Sequence, residues 1–211
     1  TNQGITMQTA KKIIINVFLL SILSFFYGSN VLFADEASEI KEMTSVKVDQ
    51  IIRMLRSDSL SKEEKKIEIF KKLDALIDFN LMAKLCLGKK HWKRLSKEGR
   101  AEFTQLLVER LKQSYLDKLD LYTDEEVEVV EARKTGKNRV EILTNIVGKD
   151  TKLEMVFKFY KSKKKGWMAY DAVILGVSIV QTYRSQFSGV LKKESLEKLI
   201  ERLRSSAELG S

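Results

Sequence analysis

Apolar positions along this chain change their period twice, and those changes divide it into helices, then strands, then helices. From Glu36 to Arg56 the apolar residues Ile40, Met43, Val48, Ile51, Ile52 and Leu55 recur near helical spacing. Ser61 followed by Glu64 is a capping-box pattern, and it opens a second helix through Ile67, Phe70, Leu73 and Leu76. Phe79 to Leu87 is a short, strongly apolar helical segment stopped by Gly88. Ser96 caps a long helix carrying Phe103, Leu106, Leu107, Leu111 and Tyr115, with Leu119 and Tyr122 beyond.

The period then falls to two. Val127 and Val129 alternate with Glu128 and Glu131, less strictly at Val130, and 134–138 is a turn. Arg139 to Val147 puts Val140, Ile142, Thr144 and Ile146 on one face. After a turn at 148–150, Leu153, Met155, Phe157 and Phe159 alternate with Glu154, Val156, Lys158 and Tyr160. Lys161 to Gly166 is the next hairpin, and Gly166 to Leu175 is a fourth strand rich in aromatic and β-branched residues. The chain breaks at Gly176. Two helices follow, Val177 to Leu191 and Ser195 to Leu203. Short turns between consecutive strands predict an antiparallel meander. The expected fold is α+β: a four-stranded antiparallel sheet packed against a helical layer, with an apolar pocket between them.

Composition adds an address. Lys11 and Lys12 precede an apolar run, Ile13 to Phe26, in the pattern of a secretory signal; the small Ala34 stands just before an abrupt turn to charged sequence at Asp35. Cleavage after Ala34 is the expectation, with translation starting at Met7. The alternative is an uncleaved anchor over Ile13–Ala34, long enough for a bilayer core of about 30 Å. Residues 35–211 then form one soluble domain. No cysteine lies near the cleavage point to be acylated, and Cys86, the only one in the chain, has no partner for a disulfide. There is no proline.

The chain has 38 Lys+Arg against 29 Asp+Glu. Without Lys11 and Lys12, residues 35–211 keep 36 against 29, a net +7. In an exported protein that excess suits anionic membranes or acidic partners. Nucleic acid is disfavoured: the aromatics alternate onto the face expected to be buried, leaving no stacking platform.

Candidate chemistry is sparse. His91, the only histidine, sits in a basic connection beside Trp92 and is expected at the surface. Ser178, His91 and Asp171 are the one nucleophile–base–acid set to be drawn, without a nucleophile-elbow pattern. One Cys, one His and no acid cluster at ligand spacing argue against a metal. Cys86 in its apolar run is expected to be buried and inert. Asp171, an acid in a strand, is expected to accept hydrogen bonds from Arg184 or a helix N-terminus.

The order Trp167, Tyr170-Asp171, Gly176-Val177-Ser178 and Tyr183 to Phe187 resembles the MlaC family of periplasmic phospholipid-binding proteins, soluble components of a toluene-tolerance ABC transport system. Phe79 to Ala83 with Leu87-Gly88, Trp92, Arg100 to Phe103 and Leu111 to Tyr115 extend the likeness over nearly all of residues 35–211. Ser96-Lys97 departs from the family's usual Thr-Pro but still supplies a cap.

The resemblance implies a carrier without enzymatic activity or cofactor. It would hold a phospholipid by its acyl chains and shuttle it between outer and inner membranes to maintain outer-membrane lipid asymmetry. The partners implied are an outer-membrane lipoprotein complex and an inner-membrane ABC transporter complex with a substrate-binding ring, with the carrier itself a monomer. The residues it carries over as lipid contacts are Met82, Arg100, Phe103, Leu107, Leu111, Tyr115, Val177, Ser178 and Tyr183. Strand alternation adds Ile142, Phe157 and Phe159. Each of these also suits plain core packing. The competing expectation is an exported enzyme or adaptor domain acting on a small apolar ligand.

Overall fold

The computed structural model of the protein describes residues 31–116, 125–149 and 151–208. The expected export segment up to residue 30, and Leu119 and Tyr122, lie outside the described residues. Contacts divide the chain after Glu39. The described part of the first unit is the opening of helix α1 (Val31–Leu55). All that follows concerns residues 40–211.

Local chemistry sets the helix ends. Helix α2 (Lys62–Leu76) starts with a complete capping box: Glu64 N–H donates to Ser61 Oγ and Ser61 N–H donates back to the Glu64 carboxylate. Asp78 caps α3 (Phe79–Leu87) by accepting from Leu81 N–H at 2.9 Å. Gly88 then takes φ +84°, a conformation open to glycine, and starts the short α4 (Lys89–Trp92). Ser96 caps α5 (Lys97–Leu111), whose last turn widens into a π-helical turn at Lys112–Leu116. Helices α6 (Ile179–Leu191) and α7 (Leu196–Glu208) close the chain. Among the described residues no helix is long and apolar enough to cross a membrane.

The sheet has five strands, not the four expected. Strands β1 (Glu126–Gly136), β2 (Arg139–Val147), β3 (Lys152–Ser162) and β4 (Gly166–Ile174) form the antiparallel meander, and β5 (Val177–Ser178) adds an edge in the order β1-β2-β3-β4-β5. Val177 and Ser178, predicted as the start of a helix, instead fold back against Ile174 and Val173. The sequence weakness at Val130 is a bulge: register shifts between Val129 and Glu131. Lys41 Nζ on α1 donates to the Val130 carbonyl at 2.7 Å.

Two separate apolar clusters result. One joins α3, α4, α5, α6 and α7 through buried Met82, Cys86, Trp92, Phe103, Leu107, Tyr183, Phe187 and Leu199. The other joins Ile40 of α1 to Val140, Ile142, Phe159, Trp167 and Ala169 of the sheet. Ile77, between α2 and α3, packs against both.

Candidate functional site

Cross-strand register builds a continuous apolar face on the sheet. Val140 lies opposite Phe159, Ile142 opposite Phe157, Thr144 opposite Met155, and Ile146 opposite Leu153. Val127 and Val129 extend the face onto β1, opposite Ile146 and Thr144. Helix α1 runs along this face. Ile40 is buried against the end carrying Phe159 and Trp167, while Arg56 Nη2 reaches the Glu125 carbonyl at the far end, at 3.3 Å.

Cover along that face is uneven. At the Ile40 end, Val140, Ile142 and Phe159 are fully buried. Towards the Arg56 end, Val127, Val129, Ile146, Leu153, Met155 and Phe157 are only half-buried. The second half of α1 is also incompletely covered, with Ile51, Ile52, Met54 and Leu55 half-buried. Apart from the buried Thr144, the apolar side chains at this end of the sheet and in the second half of α1 are therefore left partly in water. Apolar area left half in water forfeits about 25 cal/mol for each Å² exposed, so this strip is a standing attraction for hydrocarbon.

The helical cluster is a different environment. Phe103, fully buried, makes edge-on contacts with Trp92 (centroids 6.3 Å apart) and Phe187 (5.7 Å), and Tyr183 packs on Phe187 at 5.6 Å. Burial pushes the Cys86 thiol up to about 12, with Asp171 adding to the rise and Arg184 opposing it. Tyr115 also lies above the ordinary tyrosine range, through burial and then the neighbouring Tyr183.

Asp171 joins the two layers. A bulge between Lys158 and Phe159 in β3's pairing with β4 leaves Asp171 opposite Lys158. There its carboxylate accepts from Ser178 Oγ (2.7 Å) and from Val180 N–H at the start of α6 (3.1 Å), with Lys158 Nζ at 3.4 Å. The helix N-terminus is thus the partner foreseen. Arg184 instead donates to the Leu85 carbonyl at 3.4 Å.

The expected site residues separate into three groups. Met82, Phe103, Leu107 and Tyr183 are buried in the helical cluster, with Leu111 packed against it and Tyr115 half-buried. Ile142, Phe157 and Phe159 share the sheet face. The remaining three stand apart. Arg100 donates to the Trp92 carbonyl at 3.1 Å and lies over its ring. Ser178 caps α6 by accepting from Gln181 N–H at 3.0 Å. Val177 is 60 % exposed at the edge of the turn. Leu153 and Met155, which the same alternation as Phe157 places on this face, were not among the expected contacts.

Other expectations also change. His91 is half-buried, not exposed, and its Nδ1 is buried without a hydrogen-bond partner. A cleft of about 420 Å³ opens between α3 and the β1–β2 turn, where Leu81 and Leu85 face Lys137, Arg139, Tyr160 and Tyr170. No group of three or more His, Cys, Asp or Glu side chains is placed to hold a metal among the described residues.

Comparison with known proteins agrees with this architecture. The chain is 28% identical over 121 residues to the intermembrane phospholipid transport system binding protein MlaC of Haemophilus influenzae, a match covering 56% of each chain. The matched segment thus spans little more than half the length of that relative. A phospholipid-binding protein from Ralstonia solanacearum, solved in complex with a phospholipid, superposes with a TM-score of 0.71 over 80% of this chain and 97% of its own, at 18% identity. That likeness establishes the fold. The family model for MlaC protein matches residues 45–205. From α1 to α7, the chain belongs to the MlaC family.

Proposed function

We propose that this chain is a periplasmic phospholipid carrier that takes lipid by its acyl chains. It ferries the lipid between the outer and inner membranes, and in doing so maintains the asymmetry of the outer one. The observation that carries this reading is the half-covered apolar strip on the sheet face, in a chain of the MlaC family. Hydrocarbon in water costs about 0.8 kcal/mol per CH₂, so two long tails need an apolar host to cross an aqueous space. The strip supplies one. Acyl chains lying along Leu153, Met155 and Phe157 replace water there, and α1 moves outward to admit them. The helical cluster behind the sheet acts as the rigid block that keeps the strands in register, and the headgroup stays in water.

A host about as apolar as the bilayer changes the lipid's free energy little, so direction comes from docked partners. An outer-membrane lipoprotein complex would load or unload the carrier at one end of its path. An inner-membrane ABC transporter with a substrate-binding ring would serve the other, and the carrier travels as a monomer. The MlaC relative of Haemophilus influenzae, named for an intermembrane phospholipid transport system, and the phospholipid held by the Ralstonia solanacearum protein both support the reading.

The test is mass spectrometry on an organic extract of protein purified without any delipidation. Phospholipid near one molecule per chain is expected. Extracts free of lipid, from a chain that also takes up none from vesicles, overturn the proposal.

A further inference from the structure

We propose that the end of the sheet formed by the two hairpin tips is a docking surface for an anionic lipid bilayer. The meander brings the β1–β2 and β3–β4 turns to the same end. Arg139 is paired with Tyr160, and Lys161 N–H donates to the Asn138 carbonyl at 3.1 Å, which ties one tip to the other. No acid occurs between Glu131 and Glu141, nor between Glu154 and Asp171. Lys137, Lys163, Lys164 and Lys165 are exposed at these tips, and none of the four forms an ion pair among the described residues. Arg139 is held beside them by Tyr170, whose ring lies 5.6 Å from the guanidinium and whose hydroxyl accepts from it at 3.5 Å.

Charge of one sign gathered on two turns favours a surface of the opposite sign, and the residue types favour lipid over protein. Protein interfaces are depleted in lysine and enriched in exposed aromatic anchors. Here the turn residues are lysine, asparagine and glycine, and Trp167 beside them is buried. Lysines are hydrated point charges on flexible stems, suited to a diffuse array of phosphates. The cleft of about 420 Å³ next to them has cations at its rim and Leu81 and Leu85 in its wall. That gradient from charged to apolar matches the headgroup layer of a bilayer.

These tips lie at the opposite end of the sheet from the half-covered strip. Docking there brings the carrier to a membrane and leaves the lipid-holding end free. The proposal is therefore separable from where the acyl chains lie.

Co-sedimentation of the full chain with vesicles tests it. Phosphatidylcholine vesicles containing phosphatidylglycerol should bind the protein well above pure phosphatidylcholine at low salt. The excess should vanish at about 0.5 M salt, where screening acts within about 4 Å. Reversing Lys163, Lys164 and Lys165 together to Glu should weaken this excess at least about a hundredfold, from about fivefold for each lysine lost and further repulsion from each glutamate gained. A control of equal net charge, Lys62→Glu with Lys97→Glu and Lys193→Glu at exposed positions outside the sheet, should keep most of it. Equal binding to both vesicle types, or equal loss in both triple variants, overturns the proposal. So does capture by an acidic polypeptide without any vesicle binding, which would assign the tips to a protein partner.

Discussion

Ser178 Oγ donates to Asp171 Oδ2 at 2.7 Å while the same oxygen caps helix α6 by accepting from Gln181 N–H. One hydroxyl thus fastens strand β4 to the helix that follows it. Asp171 is 5 % exposed and also takes Val180 N–H, so three groups depend on its charge once Lys158 is counted. Removing it leaves Lys158 and an α6 N–H without their acceptor. Asp171→Ala is expected to cost about 2–3 kcal/mol, and Asp171→Asn, which keeps one acceptor oxygen, about half as much. Urea unfolding followed by circular dichroism would show this as a lower midpoint with unchanged slope. Midpoints equal to wild type would mean that the junction is unimportant.

The two apolar regions should respond differently to added bulk. Met155→Trp or Leu153→Trp adds bulk to the strip, where both side chains are only half-buried. Lipid content per folded chain should fall at least severalfold, with stability altered by less than about 1 kcal/mol. Leu107→Trp forces the same ring into a site that is 1 % exposed among packed aromatics. About 1–3 kcal/mol of stability should be lost there, and lipid content among the folded molecules should hold. Lipid loss from the helical variant alone would move the binding site to the other cluster.

Strong periodicity made most of the fold legible. Strands β2 and β3 alternate, so their apolar face and antiparallel order followed from the sequence, while their register is seen only in the structure. Helix starts at Ser61, Asp78 and Ser96 are written in capping chemistry, though the cap at Asp78 went unnoticed. Strand β5 was hidden because two residues carry no period, and Val177 looks as apolar in a strand edge as in a helix. The site was harder. Sequence identifies Phe157 and Leu107 alike as apolar and periodic, but not which one the opposing layer leaves half-open. That depends on how far α1 covers the sheet, a tertiary property with no local signature.

The turn between β4 and β5 carries a mismatch between residue and backbone. Leu175 and Gly176 both have positive φ, 49° and 78°, and Ile174 pairs with Val177 across them. Two central residues with positive φ suit Asn-Gly far better than Leu-Gly, because the leucine Cβ crowds its own carbonyl. Leu175 is also 65 % exposed, so packing returns little. Leu175→Asn should stabilise by about 0.5–1 kcal/mol, and Leu175→Val should destabilise by about 1 kcal/mol or more. Thermal melts of the two variants against wild type would order them; a lower melting point for the asparagine variant would contradict this reading of the turn.

Cys86 makes a prediction about alkaline pH. Its thiol is held at about 12 by burial first and by Asp171 second, against an ordinary value of 9.0. Below pH 9 the thiol is protonated in both folded and unfolded chains and contributes no pH dependence. Between 9 and 12 the unfolded chain releases this proton and the folded chain keeps it. The unfolded state then binds one proton fewer, so unfolding becomes easier by about 1.4 kcal/mol for each pH unit. Other groups titrate in the same range, which makes Cys86→Ala the necessary comparison: its stability should fall less steeply from pH 9 upward, by about one proton's worth of slope. The same burial should keep a thiol reagent from labelling the native protein at neutral pH, with full reaction on unfolding in urea. Fast labelling of folded protein, together with parallel pH slopes for the two chains, would place Cys86 in contact with water and remove the helical cluster's claim to be sealed.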